Sequence, residues 1–262
     1  MDLGIKGRKA IVAGASTGMG AASARALAAE GVEVFVSARG EERLRHFVET
    51  ASRETGGVMH PVVADHSTEA GRATLLAACP DPDILVISCG PPGLTEDYLK
   101  ISPQNHRDSL ETTYIAPIEL MRASLEGMAA RGFGRVVNIT TAGAKRPWEA
   151  RLLSGPPRSA LINFVHAISK RYASKNVTLN NLLPGVFNTP NTLAHFTRLA
   201  EKKGTSVEEE QFKMAQQLDI PAGRFGSMDE IGPFCAMLCS ANASFITGQS
   251  IVIDGGSLIS LF

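Results

Sequence analysis

The 262-residue sequence predicts an α/β fold: one doubly wound parallel sheet with helices on both faces. Three observations predict it. Short apolar runs alternate with longer segments of helical periodicity along the whole chain. The runs are apolar at nearly every position, as in strands covered on both faces. A glycine-rich turn joins the first run to the first helical segment, the place where such sheets meet their ligands. No linker, fixed-period repeat or low-complexity tract interrupts the pattern, so a single domain over 1–262 is expected.

Taken in order, KAIVAGA (9–15) is a strand entering a glycine turn. MGAASARALAAEG has helical spacing, with Gly31 as its stop. VEVFVSA is the second strand, and EERLRHFVETASRE an amphipathic helix with Leu44, Phe47 and Val48 on one side. VMHPVVAD is the third strand, and Pro61 assigns it to an edge or an early bend. AGRATLLAAC is a helix and DILVISCG the fourth strand. Residues 106–132 form a long helical stretch interrupted at Pro117, followed by strand GRVVNITT. The helix SALINFVHAISKRYASK (159–175) carries Leu161, Phe164, Val165 and Ile168 at helical spacing. Strand VTLNNLLPG, helix MDEIGPFCAMLCSA and strand SIVIDGG complete the series.

Composition narrows the function. Lys plus Arg number 26, as do Asp plus Glu, giving no electrostatic reason for a nucleic-acid or anionic-membrane partner and little repulsion against self-association. No apolar window approaches the roughly 18 residues of a membrane span, and the first residues lack the pattern of a signal peptide. Cys235 and Cys239 share a helix face, but no His or Cys pair at ligand spacing accompanies them. With Cys79 and Cys89 they read as apolar thiols, with no metal site, in a cytoplasmic, reducing compartment.

The turn AGASTGMG places Gly14, Gly18 and Gly20 between a strand and a helix. Ser16, Thr17 and Met19 complete it. Glycine allows a tight turn and close approach of backbone to pyrophosphate, while the helix start offers free N–H groups. Packing alone is the competing explanation of such a turn. At the end of the second strand, Ser37-Ala38-Arg39 offers no carboxylate for a ribose 2′-hydroxyl and a guanidinium for a 2′-phosphate. NADP is therefore preferred, with NAD open. Asp65, closing the third strand, is either an acceptor for an adenine amino group or a helix N-cap.

With these motifs in place, the chain resembles the short-chain dehydrogenase/reductases nearly end to end, which implies a Rossmann-type fold. SCGPPG keeps Gly90 of the motif after strand four, and GRVVNITTAG resembles the segment before the family's catalytic serine. NNLLPGVFNTP resembles the turn beside the nicotinamide, which implies cofactor contacts by Pro184, Gly185, Val186 and Thr189, the last toward the carboxamide. The resemblance further implies hydride transfer between the nicotinamide and a small-molecule carbonyl or alcohol, including 3-oxoacyl compounds. It also implies assembly as a homotetramer or homodimer.

The family's catalytic tetrad is changed at each position. Thr141 takes the serine position and keeps a hydroxyl; Thr113 stands for the asparagine that supports a relay water. Arg158 stands for the tyrosine and Ile162 for the lysine, with about four residues inserted after Thr141. LSGPPR resembles a subgroup labelled β-ketoacyl-carrier-protein reductases, in which arginine replaces the tyrosine. Arginine keeps its proton at neutral pH, so it can stabilise an oxyanion or bind an anion but not act as an ordinary acid. Lys170 lies roughly 12 Å further along the helix, too far to replace the missing lysine. Three readings stay open: an oxidoreductase with a nonstandard site, a catalytically silent nucleotide-binding sensor or assembly partner, and a homologue that binds no nucleotide.

Residues 190–220 read as a helical lid over the substrate, with Leu193, Phe196, Leu199, Phe212 and Leu218 toward the cleft. The charges Lys202, Lys203 and Glu208 to Glu210 read as its solvated face, and His195 as structural.

Overall fold

A computed structural model describes residues 2–90 and 92–259. Seven parallel strands form one sheet in the order β3-β2-β1-β4-β5-β6-β7. They are β1 Lys9–Ala13, β2 Glu33–Ala38, β3 Met59–Val63, β4 Ile84–Ser88, β5 Gly134–Ile139, β6 Val177–Pro184 and β7 Ser250–Ile253. Helices α1 Gly18–Ala29, α2 Glu41–Thr55, α3 Glu69–Ala78, α4 Pro103–Leu110, α5 Ala116–Arg131, α6 Gly155–Tyr172, α7 Pro190–Lys203, α8 Val207–Gln217 and α9 Met228–Leu238 connect them. The chain winds outward from β1 in both directions. The crevice between the ends of β1 and β4 is thus the topological switch point, where ligands of such sheets bind.

Alternation along the strands feeds two cores. Ala10 and Val12 of β1 pack with Leu27, Leu44 and Ile231 from α1, α2 and α9. Ile11 and Ala13 pack with Leu75, Leu120 and Leu161 from α3, α5 and α6. Pro61 lies in β3, an edge strand, as the missing N–H requires. Arg135 is fully buried on β5, where its guanidinium donates to the Ser240, Gly134 and Asn176 carbonyls and so closes the sheet's amino end.

Two helix boundaries differ from the sequence expectation. The break near Pro117 lies upstream of it, as a π-helical turn over Glu111–Ile115. Proline lacks an N–H and its ring crowds the carbonyl four residues back, so the turn widens and Ala116 N–H donates to Glu111 instead. Helix α6 begins at Gly155, four residues before the expected Ser159. Pro156 and Pro157 sit in its first turn, where a missing N–H leaves no bond unmade.

Residues 190–220 fold as α7 and α8 around a small core of Phe196, Ala215, Ile220 and Phe225. Leu199 and Leu218 pack against it, whereas Leu193 and Phe212 are exposed. The charged run is not all solvated as expected. Glu210 is 3% exposed and accepts from Lys203 Nζ at 2.7 Å, Thr205 Oγ1 at 3.1 Å and Lys213 Nζ at 3.1 Å. The Lys203 hydrogen bond leads in holding its carboxyl at about 2, against an ordinary 4.5. A depressed acid stabilises above its unfolded value, so this clamp weakens below about 4.5 and is lost as the pH falls through about 2. Glu210→Gln should speed amide exchange over 190–217 at neutral pH; unchanged protection there would show that the clamp does not hold α7 to α8.

Candidate active site

The carboxyl edge of the sheet gathers the residues singled out above. At the end of β1, Gly14 has φ +73°, and a Cβ there would lie 1.9 Å from the Ser88 carbonyl oxygen. Gly20 lets α1 start directly on this turn, since a Cβ would stand 2.6 Å from the Gly14 oxygen. Thr17 is the N-cap of α1 but makes no side-chain capping bond. The N–H groups of the first turn, running through Gly18 and Met19, thus have no capping side chain from Thr17. Arg39 is exposed just beyond β2 and is in no ion pair among the described residues.

Asp65 does not cap the following helix. Thr68 does so, accepting from Gly71 N–H. Asp65 Oδ1 instead accepts from the Ser67 amide at 3.0 Å and hydroxyl at 2.7 Å. Burial raises its pKa, but the Ser67 bonds, Arg39 and His66 together bring it below the ordinary carboxylate value. His66 is buried behind the glycine turn with Nε2 3.4 Å from Cys89 Sγ. Burial lowers the His66 pKa, so the imidazole is neutral at pH 7. Burial also pushes the Cys89 thiol up to about 11, so this pair carries no charge.

Thr141 follows β5 in extended conformation, its Oγ1 accepting from Gly143 N–H at 3.1 Å and its own proton free to donate. Thr113 lies in the π-helical turn, 1% exposed, and donates to the Ser109 carbonyl at 2.7 Å. It can therefore offer only lone pairs to another group. Arg158 lies in the first turn of α6 and is 3% exposed. Nη1 donates to Ser154 Oγ at 2.7 Å and more weakly to the Ser154 carbonyl at 3.3 Å; Nη2 donates to the Cys89 carbonyl at 2.9 Å. This ties α6 to the end of β4. Burial lowers the Arg158 pKa; Cys89 opposes and Arg151 reinforces the shift. No carboxylate pairs with Arg158 among the described residues.

Ser154 is the residue that sequence reasoning missed. It is the N-cap of α6 yet makes no capping bond, because its hydroxyl turns to Arg158. The i, i+4 spacing was visible; the early start of the helix, which gives that spacing meaning, was not. Other residues stay apart. Lys170 is exposed, Tyr172 bonds Glu126, Tyr98 and Trp148 are exposed, and Arg146 donates to Ser257. In the turn after β6, Pro184 closes the strand and Gly185 fits tightly over Asp254, while Val186 is exposed. Thr189 caps α7 through Thr192 N–H, and Gly90 stands open beyond β4. Between the loop before α4 and the start of α6 lies an apolar cavity of about 390 Å³, lined by Tyr98, Ile101, Leu153, Pro157 and Ala160 among others. Cys235 and Cys239 are buried, and no cluster of metal-binding side chains occurs among the described residues. None of their helices is long and apolar enough to cross a membrane.

A seven-stranded parallel sheet with a glycine turn at its switch point defines a Rossmann-type α/β fold. Residues 14–257 match the family described as Enoyl-(Acyl carrier protein) reductase, and the chain belongs to that family, within the short-chain oxidoreductases. It is 27% identical to the 3-oxoacyl-[acyl-carrier-protein] reductase FabG of Aquifex aeolicus, over 98% of this chain and 99% of that protein. Among solved structures it is similar to L-sorbose reductase of Gluconobacter frateurii complexed with NADPH and L-sorbose. That likeness has TM-score 0.92 and 27% identity, covering 100% of each chain. A 3-oxoacyl (acyl-carrier-protein) reductase of Agrobacterium tumefaciens with NADP bound is similar at TM-score 0.83 and 26% identity, over 97% of this chain and 96% of that one.

Proposed function

We propose that the protein is an NADPH-dependent carbonyl reductase whose active site uses Arg158 in place of the family's tyrosine. The observation that carries this reading is the pair Ser154 and Arg158: a buried hydroxyl accepting at 2.7 Å from a buried guanidinium, beside the end of β4. The cofactor fits what the chain offers. The N–H groups at the start of α1 have no side-chain cap and suit pyrophosphate, and Arg39 suits a 2′-phosphate. Asp65 retains Oδ2 for the adenine amino group, while Gly90, Pro184, Gly185, Val186 and Thr189 would hold the nicotinamide end. When bound, the reduced nicotinamide supplies the hydride.

The chain's own residues handle the oxygen. Thr141 donates its free hydroxyl proton to the substrate oxygen and orients it. Arg158 stabilises the negative charge that develops there, an effect strengthened by burial. Ser154 delivers the proton: its oxygen already accepts from Arg158, so its own O–H points elsewhere, and the neighbouring cation stabilises the alkoxide left behind. Thr113 serves as an acceptor for a water that restores that proton. The apolar cavity beside α6 takes the apolar part of the substrate.

The test is NADPH oxidation with a panel of 3-oxoacyl thioesters, ketones and keto sugars. Turnover on one of them is expected, with Ser154→Ala lowering kcat about a hundredfold and leaving NADPH affinity unchanged. Tight NADPH binding without turnover on any substrate would sink this reading in favour of a silent nucleotide-binding protein.

A further inference from the structure

We infer that His66 is a positioning residue for Arg158: the imidazole holds Cys89, and Cys89 holds the guanidinium. The effect on rate rests on the reading above; the linkage itself does not. Beyond Ser88 the chain leaves β4, and no backbone-to-backbone hydrogen bond holds Cys89 or Gly90 among the described residues. Gly90 has no side chain to anchor the segment, and nothing lies within 4 Å of where its Cβ would be. Two polar contacts therefore fix Cys89. Its carbonyl accepts from Arg158 Nη2 at 2.9 Å, and its Sγ lies 3.4 Å from His66 Nε2. The carbonyl that aims Arg158 is thus itself aimed by His66.

His66 is a firm anchor. It is 8% exposed, and its Cε1 lies 3.5 Å from where a Cβ on Gly14 would stand, so the ring rests against the glycine turn. Its carbonyl accepts from Arg72 Nη1 at 3.0 Å. The same nitrogen donates to Glu111 Oε1 at 3.2 Å, in the π-helical turn that carries Thr113. The residue therefore joins the turn after β1, helix α3 and the end of β4. Through its ring it makes no hydrogen bond other than that to Cys89 among the described residues. A neutral imidazole has one donor and one acceptor nitrogen, and a thiol can give or take, so this buried contact is satisfied in either sense.

Protonation disturbs it. An imidazolium carries N–H on both nitrogens, so Sγ can only accept and the thiol proton must turn away. The groups facing the ring are Asp65 beside it, Arg39 beyond β2, Arg72 on α3 and the Cys89 thiol, with Arg158 on the far side of that thiol. Burial, then Arg39 and Arg72, oppose the charged ring; Asp65 favours it but does not prevail, so protonation falls below the ordinary 6.5. The contact is whole at neutral pH and is lost as the pH drops through that lowered value.

Steady-state kinetics and urea unfolding test the linkage separately. At saturating NADPH and substrate, His66→Ala should lower kcat about tenfold, part of the hundredfold that a misplacement of about 1 Å can cost. Cys89→Ala keeps the carbonyl but loses the thiol; it should match His66→Ala, and the double variant should be no slower. His66→Gln, whose amide can reach Sγ but does not titrate, should recover most of the rate and lose the acid limb of the parent's pH profile. A purely structural role would leave that limb in place. Urea unfolding needs no turnover. His66 and Arg158 share no direct hydrogen bond, so their losses should add unless Cys89 links them. His66→Ala is expected to shift the urea midpoint less in Arg158→Ala than in the parent. Additive midpoints, different kcat for His66→Ala and Cys89→Ala, or an acid limb that survives His66→Gln would each overturn the inference. Non-additive midpoints in a protein that turns over no substrate would overturn the proposed reductase and leave the linkage standing.

Discussion

Arg158→Ala is expected to lower kcat/KM for carbonyl reduction by about a thousandfold, the loss produced when one buried oxyanion donor is removed. Three effects act together. The developing oxyanion loses its cation in a site with little water to replace it. Ser154 loses the donor at 2.7 Å that orients its hydroxyl and stabilises its alkoxide. The Cys89 carbonyl loses its bond to α6, so the helix start is free to shift from β4. Arg158→Lys separates charge from geometry, because lysine restores a cation but cannot donate to Ser154 and Cys89 at once with the same planar spacing. It should recover part of the rate. Thermal unfolding and NADPH titration of each variant serve as controls for folding and cofactor binding. Arg158→Ala with kcat/KM within about threefold of the parent, and lower thermal stability, would make the arginine a helix anchor and nothing more.

Gly14→Ala is the second large effect, expected to destabilise the fold by more than about 3 kcal/mol and to abolish NADPH binding. Two obstacles meet at this residue. Its φ of +73° is unfavourable for an L side chain, and the added Cβ would lie 1.9 Å from the Ser88 carbonyl oxygen. That oxygen is backbone at the end of β4, and β4 is locked to β1 through pairs such as Ala13 with Ile87. Neither strand can give way without breaking the sheet at the switch point. Gly18→Ala is the informative contrast. Gly18 also has positive φ, +63°, but nothing lies within 4 Å of a Cβ there. Only the backbone preference is lost, about 1 kcal/mol. Denaturant unfolding of the two variants should separate them clearly; similar losses for both would mean that conformation rather than the Ser88 contact governs the turn.

Most of the architecture was legible in the sequence because it is local or periodic. Apolar runs such as KAIVA and DILVIS can bury both faces only as inner strands, and α2 shows its apolar stripe through Leu44, Phe47 and Val48. The glycine turn was readable because backbone geometry alone demands glycine at Gly14. Pro61 left β3 an edge or an early bend, and of the two the sheet takes the edge, for a reason that needs only the missing N–H. Where local rules competed, the reading slipped. Two prolines in LSGPPR look like a break, but in a helix's first turn they are tolerated, so α6 starts at Gly155 and carries Ser154 and Arg158 together. Pro117 marks a widened turn before it rather than a break at it.

The sequence by itself determined the order of strands and helices, the glycine turn, and the presence of an arginine and an isoleucine at Arg158 and Ile162. Only the tertiary structure decided what these side chains meet. Glu210 reads as one charge among several until α7 folds back and buries it between Lys203 and Lys213. His66 and Cys89 become neighbours because β3 and β4 end at the same edge of the sheet. Arg158 meets a carbonyl 69 residues away and, among the described residues, no carboxylate. Periodicity records which face of an element is buried, because burial repeats with the element. The partner of a single polar side chain is set by contacts distant in sequence, which repeat with nothing.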